Sequence, residues 1–164
     1  MDSKSPNCLR FDHTAEDIKN LTDSSIKDFT AVIDGLSKLE GPRTFENTII
    51  PVAKLDYDNY CIESNLTFYK DNGAEKDLRE ASLASSEKFD EFGINQWMRQ
   101  DFYIAIKDFR KQAEGNGEWT KLGAEDQRYV VRLIRDFERN GLSLPDAERD
   151  AIKQLQKEIA DIER

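Results

Sequence analysis

Histidine, cysteine, proline and glycine are all scarce in this chain. One His, two Cys, four Pro and eight Gly are spread over 164 residues. Each scarcity excludes something. A single His and two distant Cys cannot supply the three or four protein ligands of a zinc site. Two cysteines make no disulfide framework, so Cys8 and Cys61 are expected to be thiols in a reducing, cytoplasmic compartment. No apolar run approaches the ~20 residues of a membrane-spanning helix, so no membrane partner is expected. The opening Met1–Arg10 has no apolar h-region of a secretory signal. With so little Gly and Pro, long stretches can adopt regular structure.

Positive charge is also in the minority. Lys and Arg number 24 against 33 Asp and Glu, a formal net charge of −9. Phosphate neutralisation needs a basic surface, so a nucleic-acid partner is not expected. Acidic charge of this kind chiefly favours solubility. Neither a GxGxxG sequence nor a phosphate loop occurs, and Gly115-Asn116-Gly117 reads only as a turn.

What remains is helical periodicity. The spacing predicts an all-α, antiparallel array of about five long helices. Residues 1–13 read as an irregular lead-in and 14–164 as one helical domain. Thr14 with Asp17 three residues on looks like an N-cap, and the first helix continues to Leu39, before Gly41-Pro42. The second is expected from Thr44 or Phe45, delayed or kinked by Pro51, to a left-handed stop at Asn72-Gly73. The third would run from Glu75 to Ala113, with Gly93 as its weak point. The fourth spans Ala124–Arg139 with Val130, Leu133, Ile134 and Phe137 on one face. Ser143 would cap the fifth, with Pro145 in its first turn and Asp146 completing the cap. Its apolar positions Ile152, Leu155, Ile159 and Ile162 are still in helical rhythm where the text stops, as expected of a chain cut within a helix.

No constellation of catalytic side chains emerges. His13, just before a helix cap, reads as structural. Asp90-Glu91-Phe92-Gly93-Ile94 is a near miss to a zincin helix: Asp90 and Ile94 stand where that motif needs His four residues apart. The carboxylate pairs Asp56/Asp58 and Asp90/Glu91 read as solvated faces. Ser24-Ser25 and Ser85-Ser86 have no His partner for nucleophilic chemistry. The sequons at Asn20 and Asn65 lie inside helical patterns and are not expected to be glycosylated. The aromatic series Phe89, Phe92, Trp97, Phe102 and Phe109 reads as core, and Trp119 as a loop residue at an inter-domain contact. No catalytic, cofactor-binding or metal residue is therefore assigned.

Four stretches, taken in order, carry a family resemblance: Leu9–Ile18 (LRFDHTAEDI), Thr44–Pro51 (TFENTIIP), Lys76–Tyr103 and Arg139–Ile162 with its RNGLSLP turn. Together they resemble the N-terminal helical region of the thimet oligopeptidase, neurolysin and saccharolysin group of zinc metallopeptidases, with a fungal saccharolysin-type member as the finer match. The resemblance implies that the intact protein hydrolyses short peptides in a channel. It also implies that these helices form part of the channel wall, and that zinc belongs to an HExxH helix in a catalytic domain beyond this chain. The expected partners are that domain and an oligopeptide substrate. On this reading the 164-residue chain is not an enzyme and holds no cofactor, and the fifth helix leaves an exposed apolar strip. Two other readings compete: a self-contained helical protein-protein interaction module, and a metal-dependent enzyme built on Asp/Glu clusters.

Overall fold

Residues 10–162 are described in the computed structural model, and every regular element among them is a helix. In chain order these are α1 (Ala15–Ser37), a π-helical turn (Phe45–Ile49) leading into α2 (Ile50–Thr67), and a short α3 (Tyr69–Asn72). There follow α4 (Lys76–Trp97), α5 (Gln100–Asn116), a 3-10 turn (Trp119–Lys121), α6 (Ala124–Arg139) and α7 (Asp146–Ile162). The chain divides into two units, Met1–Ala31 with Ala53–Phe92, and Val32–Val52 with Gly93–Arg164.

In the first unit, α1 starts as the sequence implies. The Thr14 hydroxyl accepts from the Asp17 backbone N–H at 3.1 Å, and the Asp17 carboxylate accepts from Thr14 N–H at 2.9 Å. Two orphan amides at the helix start are thus satisfied reciprocally. Ile18, Leu66, Tyr69 and Phe89 form the buried core, flanked by Ile26, Ile62, Leu78 and Ala81. Small hydroxyls knit the same helices: Thr22 Oγ1 lies 2.6 Å from Ser85 Oγ, and Ser82 Oγ donates to Leu66 O at 2.7 Å. Residues 10–13 are tied down from outside the helix. Asn65 Nδ2 donates to Arg10 O, Tyr69 Oη donates to the same carbonyl, and His13 Nδ1 lies 3.0 Å from Tyr69 Oη.

In the second unit α5 is the central element, packed against the π turn, the 3-10 turn and α6. Phe102, Ala105, Ile106, Phe109 and Ala113 recur at helical spacing and are buried. From α6 come Val130, Leu133 and Phe137, also buried. Phe102 and Phe137 meet edge to face with centroids 4.9 Å apart, and Trp97 lies 5.1 Å from Phe137. Burying each Phe contributes roughly 2–3 kcal/mol.

Several boundaries differ from the sequence expectation, for physical reasons. The predicted third helix is two, and the break falls at Met98-Arg99 rather than at Gly93. Gly93 stays helical with open space around its Cα. Arg99 is extended there (ψ 115°), and its guanidinium reaches Asp34 at 2.7 Å and Asp101 at 2.6 Å across the break. Near Pro51 the chain neither starts late nor simply kinks. Thr44 caps with Asn47, and a wide turn closes by Ile50 N–H to Phe45 O, so the missing Pro51 amide falls just past it. Gly73 is not left-handed; its φ is −71°. Glycine is needed there for close approach, since a Cβ would lie 2.7 Å from Tyr69 O. α7 begins at Asp146, with Arg149 donating to Leu144 O and to Asp146, so Ser143 stands ahead of the helix rather than at its cap.

Candidate functional site

The residues weighed for chemistry are taken up by structure. His13 is buried against Tyr69, with rings edge to face. Ser85 is buried against Thr22, and Ser25 Oγ donates to Asn59 Oδ1 at 2.8 Å. Asn65 is buried and bonded to the Arg10 backbone, which a glycan acceptor would not be. Cys61 forms no disulfide among the described residues, and Cys8 lies outside them. Asp90 does acquire an acidic neighbour, though from another helix: burial first, and the Asp90 charge second, push the Glu63 carboxyl above its ordinary range. Among the described residues no three His, Cys, Asp or Glu side chains are grouped to hold a metal ion. No helix among them is long and apolar enough to cross a membrane.

The strongest electrostatic node is Arg99. Its hydrogen bond holds the Asp101 carboxyl down to about 2, and Ser37 lowers it further. Asp34 adds to the pair, and together they raise the Arg99 guanidinium above its usual range. The node fixes the α4–α5 corner and offers nothing to a substrate.

A concave surface lies between α5 and α6, with a volume of about 550 Å³. From α5 it takes Lys107, Arg110, Lys111 and Glu114, spaced i, i+3, i+4 and i+7. From α6 it takes Val131, Ile134, Arg135 and Glu138 at the same spacing. Its acids are already engaged: Arg110 binds Glu114 at 2.6 Å, and Tyr103 Oη donates to Glu138 at 3.1 Å. Arg110 also lies over the Trp119 ring, 3.3 Å from its centroid, so Trp119 has its contact inside this unit. The sequence reading missed this groove. Its signal was present as three cations at i, i+3 and i+4 on the polar side of a helix whose other side is Ile106, Phe109 and Ala113.

A second surface is α7, which buries no side chain. Leu155 is 57% exposed, Ile159 54% and Ile162 83%, while Ile152 is half-buried. Three of the four apolar positions expected to form an open strip therefore do so.

No family model matches the chain. Individual proteins do. A thimet-like oligopeptidase of Dictyostelium discoideum is 29% identical over 154 residues, 93% of this chain and 23% of that protein. Saccharolysin of Saccharomyces cerevisiae is 28% identical over 147 residues, 90% of this chain and 20% of that protein. A probable thimet oligopeptidase of Arabidopsis thaliana is 27% identical over 150 residues, 91% of this chain and 20% of that protein. Its curated homologues are thimet-type oligopeptidases. The resemblance carried by Leu9–Ile18, Thr44–Pro51, Lys76–Tyr103 and Arg139–Ile162 therefore holds across nearly the whole chain. The chain spans about a fifth of the length of these oligopeptidases.

Proposed function

We propose that this chain is the N-terminal helical region of a thimet-type zinc oligopeptidase, a cytoplasmic enzyme of short peptides. Residues 14–164 act as a scaffold domain forming part of a channel wall, and the peptide-cutting groups lie in polypeptide outside the aligned segment. One observation carries this reading: oligopeptidases match 90–93% of the chain, yet the match occupies only 20–23% of their own length. Zinc in the remaining polypeptide would supply the Lewis acidity for hydrolysis. Among the described residues no donor set for it is grouped, and the part proposed for them is to hold a surface. The open strip of Leu155, Ile159 and Ile162 supports the reading, because covering it with a catalytic domain recovers about 25 cal/mol per Å² of apolar surface.

The test compares the purified chain with the same chain extended to the length of its relatives, using a quenched fluorogenic oligopeptide. The extended protein is expected to cut the peptide and to stop when a chelator is added. The chain alone is expected to leave it intact. Chelator-sensitive cleavage by the chain alone sinks the reading.

A further inference from the structure

The α5–α6 groove runs against the charge of the molecule. The chain carries a formal −9, yet four cations and two acids line this groove. The two acids are spoken for by Arg110 and Tyr103. Lys111 makes no ion pair among the described residues, and Lys107 only caps the Tyr103 ring, 4.9 Å from its centroid. Arg135 reaches Asp136 at no better than 3.4 Å. All three are exposed. Between the cations on α5 and Arg135 on α6 sits apolar surface: Val131 is 48% exposed and Ile134 half-buried. Val131 and Ile134 therefore offer apolar surface that a partner's side chain can cover.

A fitting occupant must bring carboxylates to the rim and an apolar side chain to the middle. We propose that the α5–α6 groove docks an acidic amphipathic segment of a partner polypeptide. Its apolar side chains rest on Val131 and Ile134, and its carboxylates meet Lys107, Lys111 and Arg135. A nucleic acid or free polyphosphate fits less well, because it leaves the apolar floor uncovered and meets a molecule of net negative charge. Helix-in-groove recognition has these requirements, with anchors at i, i+3, i+4 and i+7. This inference goes beyond the oligopeptidase reading and does not depend on it.

The experiment is a fluorescence-anisotropy titration of the full chain with a fluorescein-labelled peptide carrying Leu at i, i+3, i+4 and i+7 and Glu elsewhere. Two control peptides replace Leu by Ser, or Glu by Lys. The Leu/Glu peptide is expected to bind, at least about tenfold more tightly than either control, which corresponds to about 1.4 kcal/mol. Added salt is expected to weaken it. Lys107→Glu with Lys111→Glu, and separately Arg135→Glu, are expected to lose about tenfold in affinity. Val131→Ser is expected to lose severalfold. Circular dichroism confirms that each exposed substitution leaves the fold intact, and Glu125→Gln, outside the groove, is expected to bind unchanged. Equal binding of the controls, or binding indifferent to the groove variants, overturns the proposal. So does concentration-dependent self-association that the Lys107→Glu, Lys111→Glu protein loses, because it would assign the groove to a second copy of the chain. No binding of the Leu/Glu peptide at all overturns it equally.

Discussion

Asp101 is where a single side chain does most to set a local structure. Arg99 holds its carboxyl at about 2, against an ordinary 3.8. A depressed folded-state pKa means the charged form is favoured by folding. The stabilisation is therefore complete above about pH 3.8 and is lost as pH falls toward about 2. The Asp101 side chain is 49% exposed, so solvent screening reduces the benefit to the order of 1 kcal/mol. Asp101→Asn is expected to lower unfolding free energy by about that much at neutral pH. It is also expected to flatten the acid limb of the stability curve between about pH 4 and 2; an unchanged acid limb in urea melts contradicts the assignment. None of this was readable in advance. Asp101 sits two residues from Arg99, but the third member, Asp34, lies 65 residues away, and only folding brings it there.

At the scale of elements, sequence signals worked at the start of α1 and along α6, and failed at the Gly73 stop, the Ser143 cap and the α4–α5 break. Thr14 and Asp17 announced the start of α1, and the Ala124–Arg139 periodicity matched α6 at both ends. The α4–α5 break did not follow Gly93; it falls at Met98-Arg99, where Arg99 pairs with Asp34 and Asp101. Glycines separate in the same way. Gly141 has φ +89°, and a Cβ there would come 2.6 Å from Ile152 Cδ1. Gly115 lies within α5 with open space around it. Gly141→Ala is expected to cost about 1–3 kcal/mol, through left-handed strain and a clash at the base of α7. Gly115→Ala is expected to gain about 0.5–1 kcal/mol from helix propensity. Thermal denaturation of the two variants reads the difference, and equal shifts would contradict the geometry.

Across the whole molecule, the balance of surface properties is the informative quantity. The chain repels its own kind through net charge, yet it leaves Leu155, Ile159 and Ile162 open on α7. Leu155→Ser with Ile159→Ser is expected to lower hydrophobic-dye fluorescence by about half while leaving the melting temperature within about 2 °C, since neither side chain is buried. The same substitutions in a chain extended to the relatives' length are expected to destabilise, because there the strip would be covered. Equal behaviour in both lengths counts against the strip as a docking face. That strip was legible in the text as four apolar residues at helical spacing. The α5–α6 groove was only half legible: Lys107, Arg110 and Lys111 mark a basic stripe, but a stripe becomes a groove only when α6 lies beside it.

By itself the sequence determined what local physics can decide. Scarce Gly and Pro with strong 3.6-residue periodicity dictated helices, reciprocal capping residues set the start of the first, and four ordered motifs pointed to the oligopeptidase kinship. Tertiary structure alone decided where the third helix breaks, which hydroxyls and imidazole are sealed inside, and which cations face a common concavity. Those outcomes depend on groups tens of residues apart, and their interaction energies exist only once the chain has closed the distance between them.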